Sequence, residues 1–156
     1  MISSPKAELE KALTVREAAK GLIHIEGDDR LIFVAGQSGR LNLPGGGIDY
    51  GETLDAALYR EIDEELGIKP NQLVNVQPAF ITSGETTSRH GTRGISRWLV
   101  YTAGIRVPSN YIFRPLDNDE DLTVEILRPD DFLRCKNISR IAEKAVREFM
   151  YQRRMH

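Results

Sequence analysis

Three glutamates stand close together in a segment that has the spacing of a helix. Glu61, Glu64 and Glu65 follow one another at intervals of three and one residues, which at 3.6 residues per turn places them within an arc of about 100°. Like charges at this spacing repel one another and weaken a helix. A bound cation would relieve the repulsion, and carboxylates without a Cys/His cluster suit Mg²⁺ or Mn²⁺ better than zinc. The plainer interpretation is an acidic helix face in solvent.

The residues around the glutamates decide between these interpretations. Gly46 is followed after five residues by Glu52, and after seven more by segment 60–68, which reads Arg-Glu-Ile-Asp-Glu-Glu-Leu-Gly-Ile. This arrangement resembles the signature of the Nudix hydrolases: Gly, five residues, Glu, seven residues, then Arg-Glu-apolar-any-Glu-Glu-any-Gly-apolar. Every defining position is filled. With residue frequencies of several per cent per position, a chance match has a probability on the order of 10⁻⁹.

The resemblance implies a role for each residue of the signature. The implied metal ligands are three carboxylates and one backbone carbonyl, from Glu61, Glu64, Glu65 and Gly46. Arg60 and Glu52 are implied to form an ion pair that orients these ligands. The implied cofactor is Mg²⁺ or Mn²⁺, which would neutralise the phosphate oxygens and acidify a bound water.

Hydrolysis also needs a base that accepts the proton of the attacking water. The family does not always use the same residue for this step, so Glu61 and Glu64 are both candidates. Glu85, in the polar segment 83–94, is a competing carboxylate, although an exposed turn residue is the simpler interpretation of it.

Substrate contacts are expected from regions outside the signature. Arg89 and Arg93, in the same polar segment, could bind phosphates because a guanidinium matches anionic oxygens. Glu120 could add a carboxylate near the metals. A solvated loop and a solvated acidic turn are the respective alternatives. The aromatic side chains that could stack on a base, but that strand spacing more often places in a core, are Phe80, Trp98, Tyr101 and Phe113.

The pattern of apolar residues predicts the elements that must hold the glutamate helix. Strands are predicted over five segments: 15–25, 30–35, 73–82, 95–105 and 122–127. Helices are predicted over 3–13, 53–66 and 138–153, with a helical turn at 129–133. The first two strands, separated by a turn-like 26–29, are expected to pair as an antiparallel hairpin. The predicted fold class is α/β (α+β), a mixed β-sheet sandwiched between α-helices.

Composition sets the broad class of the protein. The 156 residues, with 28% charged residues and a formal net charge of −2, predict one domain over 1–156, in which 1–13 is a helix or an extension. This charge gives no reason to expect nucleic-acid binding. A single cysteine, Cys135, and the absence of a long apolar run or a signal-peptide core predict a cytoplasmic protein without a membrane segment.

These expectations combine into one functional hypothesis. The chain is predicted to be a metal-dependent hydrolase that converts a nucleoside triphosphate into a monophosphate and pyrophosphate, since it is short and has no obvious extra recognition domain. Nucleotide sugars or dinucleotides are the alternative substrates. A nucleotide-binding module of the same fold without turnover is the alternative from another class, and a prenyl diphosphate isomerase ranks lower. The expected partner is a small-molecule nucleotide, and a homodimer is plausible.

Overall fold

Seven strands and three α-helices are formed by the part of the chain that the computed structural model describes, which is residues 14–87, 91, 93–115 and 122–155. The strands are β1 (Val15–Ile25), β2 (Leu31–Ala35), β3 (Leu41–Asn42), β4 (Gly45–Gly47), β5 (Leu73–Thr87), β6 (Arg93–Ile105) and β7 (Thr123–Leu127). The helices are α1 (Leu54–Leu66), α2 (Pro129–Arg134) and α3 (Arg140–Arg154). The helix predicted over 3–13 lies outside the described residues.

The strands form two sheets rather than the single sheet that was expected. One sheet has the order β4-β1-β6-β5 and the other the order β3-β2-β7. β1 runs parallel to β6 along its whole length, while β4 pairs with β1, and β5 with β6, in the antiparallel sense. The mixed α+β architecture is confirmed.

The predicted hairpin between the first two strands is wrong. β1 and β2 belong to different sheets, and β2 pairs with β3 and β7. Asp28 accepts hydrogen bonds from the backbone and the guanidinium of Arg30 in the turn, while Glu26 continues the β1–β6 ladder by donating to Ile105. Since both faces of each strand are largely buried, neither has the polar face that would favour a simple hairpin.

The polar segment 83–94 is shorter as a loop than predicted. β5 continues to Thr87 and β6 begins at Arg93, and the pairs Thr86–Gly94 and Thr87–Arg93 belong to the ladder. The polarity of the segment had indicated a loop. Threonine, however, is β-branched and favours strands. Glu85 and Arg93 are therefore strand residues.

The helices cover separate parts of the hydrophobic core. α1 buries Ala57, Leu58, Ile62 and Leu66 in a cluster with β1, β2 and β6. α3 buries a second set in another cluster, where Phe33 of β2 stacks on Phe132 of α2 at 4.2 Å between ring centroids. None of the helices in the described ranges is long and apolar enough to cross a membrane.

Candidate active site

The ends of α1 are set by its flanking residues. Thr53 caps the first turn by accepting a hydrogen bond from the Ala56 N–H, as its side chain predicts. Gly67 ends the helix with φ +68°, a conformation that favours glycine. Tyr101 of β6 donates a hydrogen bond to Asp55 in the first turn. α1 is thus attached to the sheet by its buried face and by this polar contact.

Arg60 is the centre of an ion-pair network on the exposed face of α1. Its guanidinium makes two hydrogen bonds to Glu52, at 2.8 and 3.1 Å, as the sequence predicts for this pair. It also donates to the Gly47 carbonyl at 3.0 Å, which joins the helix to the end of β4. Bonds to Glu61 and Glu64 follow at 2.9 and 3.3 Å.

These contacts change the acid–base properties of the pair. The hydrogen bonds from Arg60, and one from a loop N–H, hold the pKa of Glu52 below its ordinary value. The same bond to Glu52 raises the pKa of Arg60, so both groups stay charged. The network is a fixed electrostatic frame beside the glutamates.

Glu65 points in a different direction from its two neighbours. Its carboxylate accepts a hydrogen bond of 2.7 Å from the N–H of Gly45, the first residue of β4. Burial, with smaller contributions from the charges of Glu61 and Glu64, raises the pKa of Glu65 to about 7. The Gly45 N–H and the ammonium of Lys20 oppose this shift.

The glycines of β4 bring its backbone against both α1 and β1. A Cβ atom on Gly46 would lie 2.6 Å from the carboxyl group of Glu61. Gly45 has φ +125°, and a Cβ there would lie 2.1 Å from the Ala19 carbonyl oxygen. At Gly45 only glycine fits without a shift of the backbone, whereas a side chain at Gly46 would displace the Glu61 carboxyl group.

Lys20 is a site residue that the sequence analysis missed. It is 8% exposed, and its ammonium donates to the carbonyls of Leu43 and Gly45 at 3.3 and 3.1 Å. It lies 4.9 Å from the centroid of the Trp98 ring. Burial lowers the pKa of Lys20, while the charges of Glu65 and Glu61 oppose this. A lysine inside the apolar run of β1 was the available signal, because a buried lysine needs partners.

Other candidates lie apart from the glutamates. Glu85 and Arg93 form an exposed ion pair of 3.2 Å near the β5–β6 turn. β6 gives a scale for the distance between Glu85 and the site. Glu85 pairs with Ile95 of β6, whereas Lys20, beside the glutamates, pairs with Val100 of the same strand. Ile95 and Val100 are five residues apart, which at roughly 3.3 Å per residue separates Glu85 from the level of Lys20 by about 17 Å. This distance disfavours Glu85 as the base. Arg89 and Glu120 lie outside the described residues.

The aromatic candidates for base stacking are mostly occupied in the fold. Trp98 and Tyr101 are buried, and Phe80 packs on the core from one side. Phe113 makes an edge-to-face contact with Tyr111 at 5.3 Å. Core packing, the commoner role for aromatics at strand spacing, is the one these residues have.

The donor set on α1 fits a hard divalent cation. Within the described segments, no group of three or more His, Cys, Asp or Glu side chains is already gathered in a geometry for a metal. Glu61 and Glu64 instead share one nitrogen of Arg60, and Glu65 faces the Gly45 N–H. The carboxylate oxygens and the glycine backbone beside Glu61 are nevertheless of the kind that Mg²⁺ and Mn²⁺ prefer.

The class of protein follows from this fold and from comparison with known proteins. A family model described as the NUDIX domain matches residues 15–149. The chain belongs to the Nudix family and is a pyrophosphohydrolase that acts on acid anhydrides. Members of this family generally use a divalent metal and act on small nucleotide substrates.

Solved structures share the fold. A MutT NUDIX hydrolase from Burkholderia pseudomallei is 22% identical over 86% of this chain and 97% of its own, with a TM-score of 0.64. The dihydroneopterin triphosphate pyrophosphohydrolase of E. coli is 18% identical over 89% and 99%, with a TM-score of 0.67. An Ap4A hydrolase from C. elegans is 17% identical over 90% and 99%, with a TM-score of 0.65. A search of curated proteins finds no match.

Proposed function

We propose that this protein hydrolyses nucleoside triphosphates to a nucleoside monophosphate and pyrophosphate, with Mg²⁺ or Mn²⁺ as cofactor. The observation that carries the proposal is the complete set of signature residues on α1 and its loop, with Arg60 bonded to Glu52 and Glu65 bonded to Gly45. A solved structure of the same fold is named as a dihydroneopterin triphosphate pyrophosphohydrolase, which supports a triphosphate as the substrate.

The metal would be held by Glu61, Glu64, Glu65 and the carbonyl of Gly46. A divalent ion supplies charge neutralisation for the phosphate oxygens and a more acidic water. Arg60 would orient two of the carboxylates through its present contacts with them. The Glu52 ion pair would keep that guanidinium in place rather than contact substrate.

The reaction transfers a nucleotidyl or a pyrophosphoryl group to water, according to which phosphorus of the linkage is attacked. The water oxygen bonds to a phosphorus of the α–β linkage, and the bond from that phosphorus to the bridging oxygen breaks with its electron pair on the leaving group. The water proton passes to Glu61 or Glu64. The side chain of Glu64 is 35% exposed against 19% for Glu61, and its bond to Arg60 is longer. Glu64 therefore has the greater freedom to act as the base.

A polar cavity lies apart from the glutamates. It has a volume of about 780 Å³ and lies between the end of β5 and the start of α3. Three of its lining side chains are cationic, from Arg40, Lys136 and Arg140. The lining also includes Glu85 and Glu143 and none of the proposed metal ligands, so we do not assign the nucleotide to this cavity. Arg89, Arg93 and Glu120 stay predicted substrate contacts.

The test is a substrate panel with each ion. Nucleoside triphosphates, nucleotide sugars and dinucleoside polyphosphates are incubated with Mg²⁺ or Mn²⁺ and with EDTA, and the products are separated by chromatography. We expect metal-dependent formation of monophosphate and pyrophosphate from triphosphates, without inorganic phosphate as the first product. Cleavage restricted to another class would overturn the substrate proposal, and no cleavage at all would overturn the proposed turnover.

Two further expectations accompany this proposal. The single cysteine, Cys135, supports action in a reducing compartment such as the cytoplasm. The homodimer stays a prediction that a measurement of molecular mass in solution tests.

A further inference from the structure

Lys20 is a buried cation in a place where a cation is expected to be unfavourable. Its ammonium is close enough to Glu61 and Glu65 for their charges to act on it, and these are two of the proposed metal ligands. A positive charge beside a metal site repels the metal. A lysine at this position is expected to have a favourable effect on the site that outweighs the repulsion. Its hydrogen bonds indicate that this effect is the positioning of the backbone.

The hydrogen bonds of Lys20 fix the backbone of Leu43–Gly45, which precedes α1 in the chain. Its ammonium donates hydrogen bonds to the carbonyls of Leu43 and Gly45, which are two residues apart. The peptide between them is held from both sides, because the Pro44 carbonyl accepts from the Gly21 N–H at 2.9 Å and the Gly45 N–H donates to Glu65. Three consecutive peptide groups therefore have defined orientations.

The fixed segment leads directly to the proposed ligands. Glu65 takes its direction from the Gly45 N–H, and Gly46 is the next residue along the chain. Gly46 lies against the Glu61 carboxyl group, which would be 2.6 Å from a Cβ there, so a rotation of the preceding peptide would change how these groups face one another. In the register of the sheet, Lys20 is opposite Gly45 itself, which places the ammonium under this point.

We propose that Lys20 is a positioning residue of the metal site, whose ammonium fixes the Leu43–Gly45 backbone and thereby aims the Glu65 carboxylate and the Gly46 carbonyl. The inference rests on the proposed function, since it takes these groups as ligands. Positioning and charge have opposite effects on metal affinity. Loss of the positive charge alone would tighten metal binding, whereas loss of the aimed ligands would weaken it.

The experiment compares Lys20→Met with the wild type. Methionine has nearly the same length and no donor, so it removes both the charge and the hydrogen bonds. We expect the dissociation constant for Mn²⁺, measured by calorimetry without nucleotide, to rise about tenfold. We expect kcat to fall about 100-fold, the typical effect of a misplacement near 1 Å, while KM stays within threefold. Lys20→Arg keeps charge and donors, and should recover most of the affinity.

A matched control separates positioning from loss of stability. Val146→Ala removes buried volume in α3 and leaves every hydrogen-bond partner of Lys20 in place, and it should lower the melting temperature measured by circular dichroism without changing the Mn²⁺ affinity. If Lys20→Met does not fold, Lys20→Gln serves in its place, since it is neutral and its shorter donor reaches the carbonyls poorly. It should also bind Mn²⁺ more weakly than the wild type.

Each outcome decides the proposal. Unchanged or tighter Mn²⁺ binding by the folded neutral variant would show that Lys20 acts through charge or packing alone, and would overturn it. Absence of Mn²⁺ binding by the wild type would overturn it too. If the wild type binds Mn²⁺ but cleaves no diphosphate, the proposed function fails, while the affinity comparison still decides the role of Lys20.

Discussion

At the scale of single residues, the proposed site depends on side chains that hold other side chains. Arg60 contacts two of the glutamates, and Glu52 holds Arg60. Glu65 is held instead by a backbone N–H. These partners set the direction of each carboxylate, because a free glutamate side chain would occupy many rotamers.

Glu65→Gln tests the ligand assignment at this scale. Glutamine can still accept the Gly45 hydrogen bond, but it lacks the negative charge that a divalent metal needs. We expect kcat to fall by a factor of about 100 or more, with an unchanged circular dichroism spectrum. Asp63→Asn is the matched control on the same helix, because Asp63 pairs with Lys69 at 2.9 Å instead. Near wild-type turnover in Glu65→Gln would show that the assignment is wrong.

Asp28 gives a prediction for pH dependence. Its hydrogen bonds from Arg30 lower its pKa to about 2 from 3.8. A carboxyl whose pKa is lower in the folded state adds stability above pH 4, and this addition is lost as the pH falls through 2. Asp28→Asn should reduce the free energy of unfolding by about 1 kcal/mol at pH 7, given solvent screening.

Urea denaturation at several pH values measures this difference. The gap between Asp28→Asn and the wild type should shrink below pH 4 and vanish only below pH 2. Asp29→Asn, the neighbouring exposed residue, serves as the control and should leave the free energy of unfolding nearly unchanged. A gap independent of pH would contradict the ion-pair explanation.

At the scale of elements, the position of α1 depends on how it ends. Gly67 has φ +68°, and a Cβ there would lie 2.4 Å from the carbonyl oxygen of Arg114. Gly51 has φ +79°, with nothing within 4 Å of a Cβ. These two glycines therefore differ in crowding and not in backbone conformation.

Gly67→Ala and Gly51→Ala form a matched pair. Gly51→Ala should cost about 1 kcal/mol of unfolding free energy, the strain of a left-handed alanine. Gly67→Ala adds the clash with Arg114 and should cost about 3 kcal/mol in total. Chemical denaturation measures both. Equal costs would mean that the chain around Arg114 moves away freely.

At the scale of the whole molecule, metal binding should be visible as stability. A ligand that binds only the folded state stabilises it in proportion to the logarithm of its concentration. At a concentration about ten times its dissociation constant, Mg²⁺ would add about 1.4 kcal/mol. For a chain of this size the melting temperature should then rise by about 3–6 °C.

Thermal denaturation with Mg²⁺ or with EDTA measures this effect. The rise should disappear in Glu65→Gln and persist in Asp63→Asn, the same pair of variants used for turnover. An equal rise in both variants would place the stabilising ion elsewhere on the molecule.

The sequence by itself determined the features that depend on local chemistry. The bounds of α1 follow from Thr53 and Gly67, and the Glu52–Arg60 pair follows from the signature. Such features could be predicted because a cap and a helical repeat involve residues close in the chain.

Only the tertiary structure decided which strands meet. The hairpin prediction for β1 and β2 failed because both faces of these strands are largely buried. Their sequences therefore lack the alternation of apolar and polar residues that would help to predict which strand lies beside them. The partners of Lys20 depend on that pairing, since the residue opposite it, Gly45, is 25 residues further along the chain. The role of the glutamates could thus be predicted from their spacing. The contacts of Lys20 could be identified only from the pairing of β4 with β1.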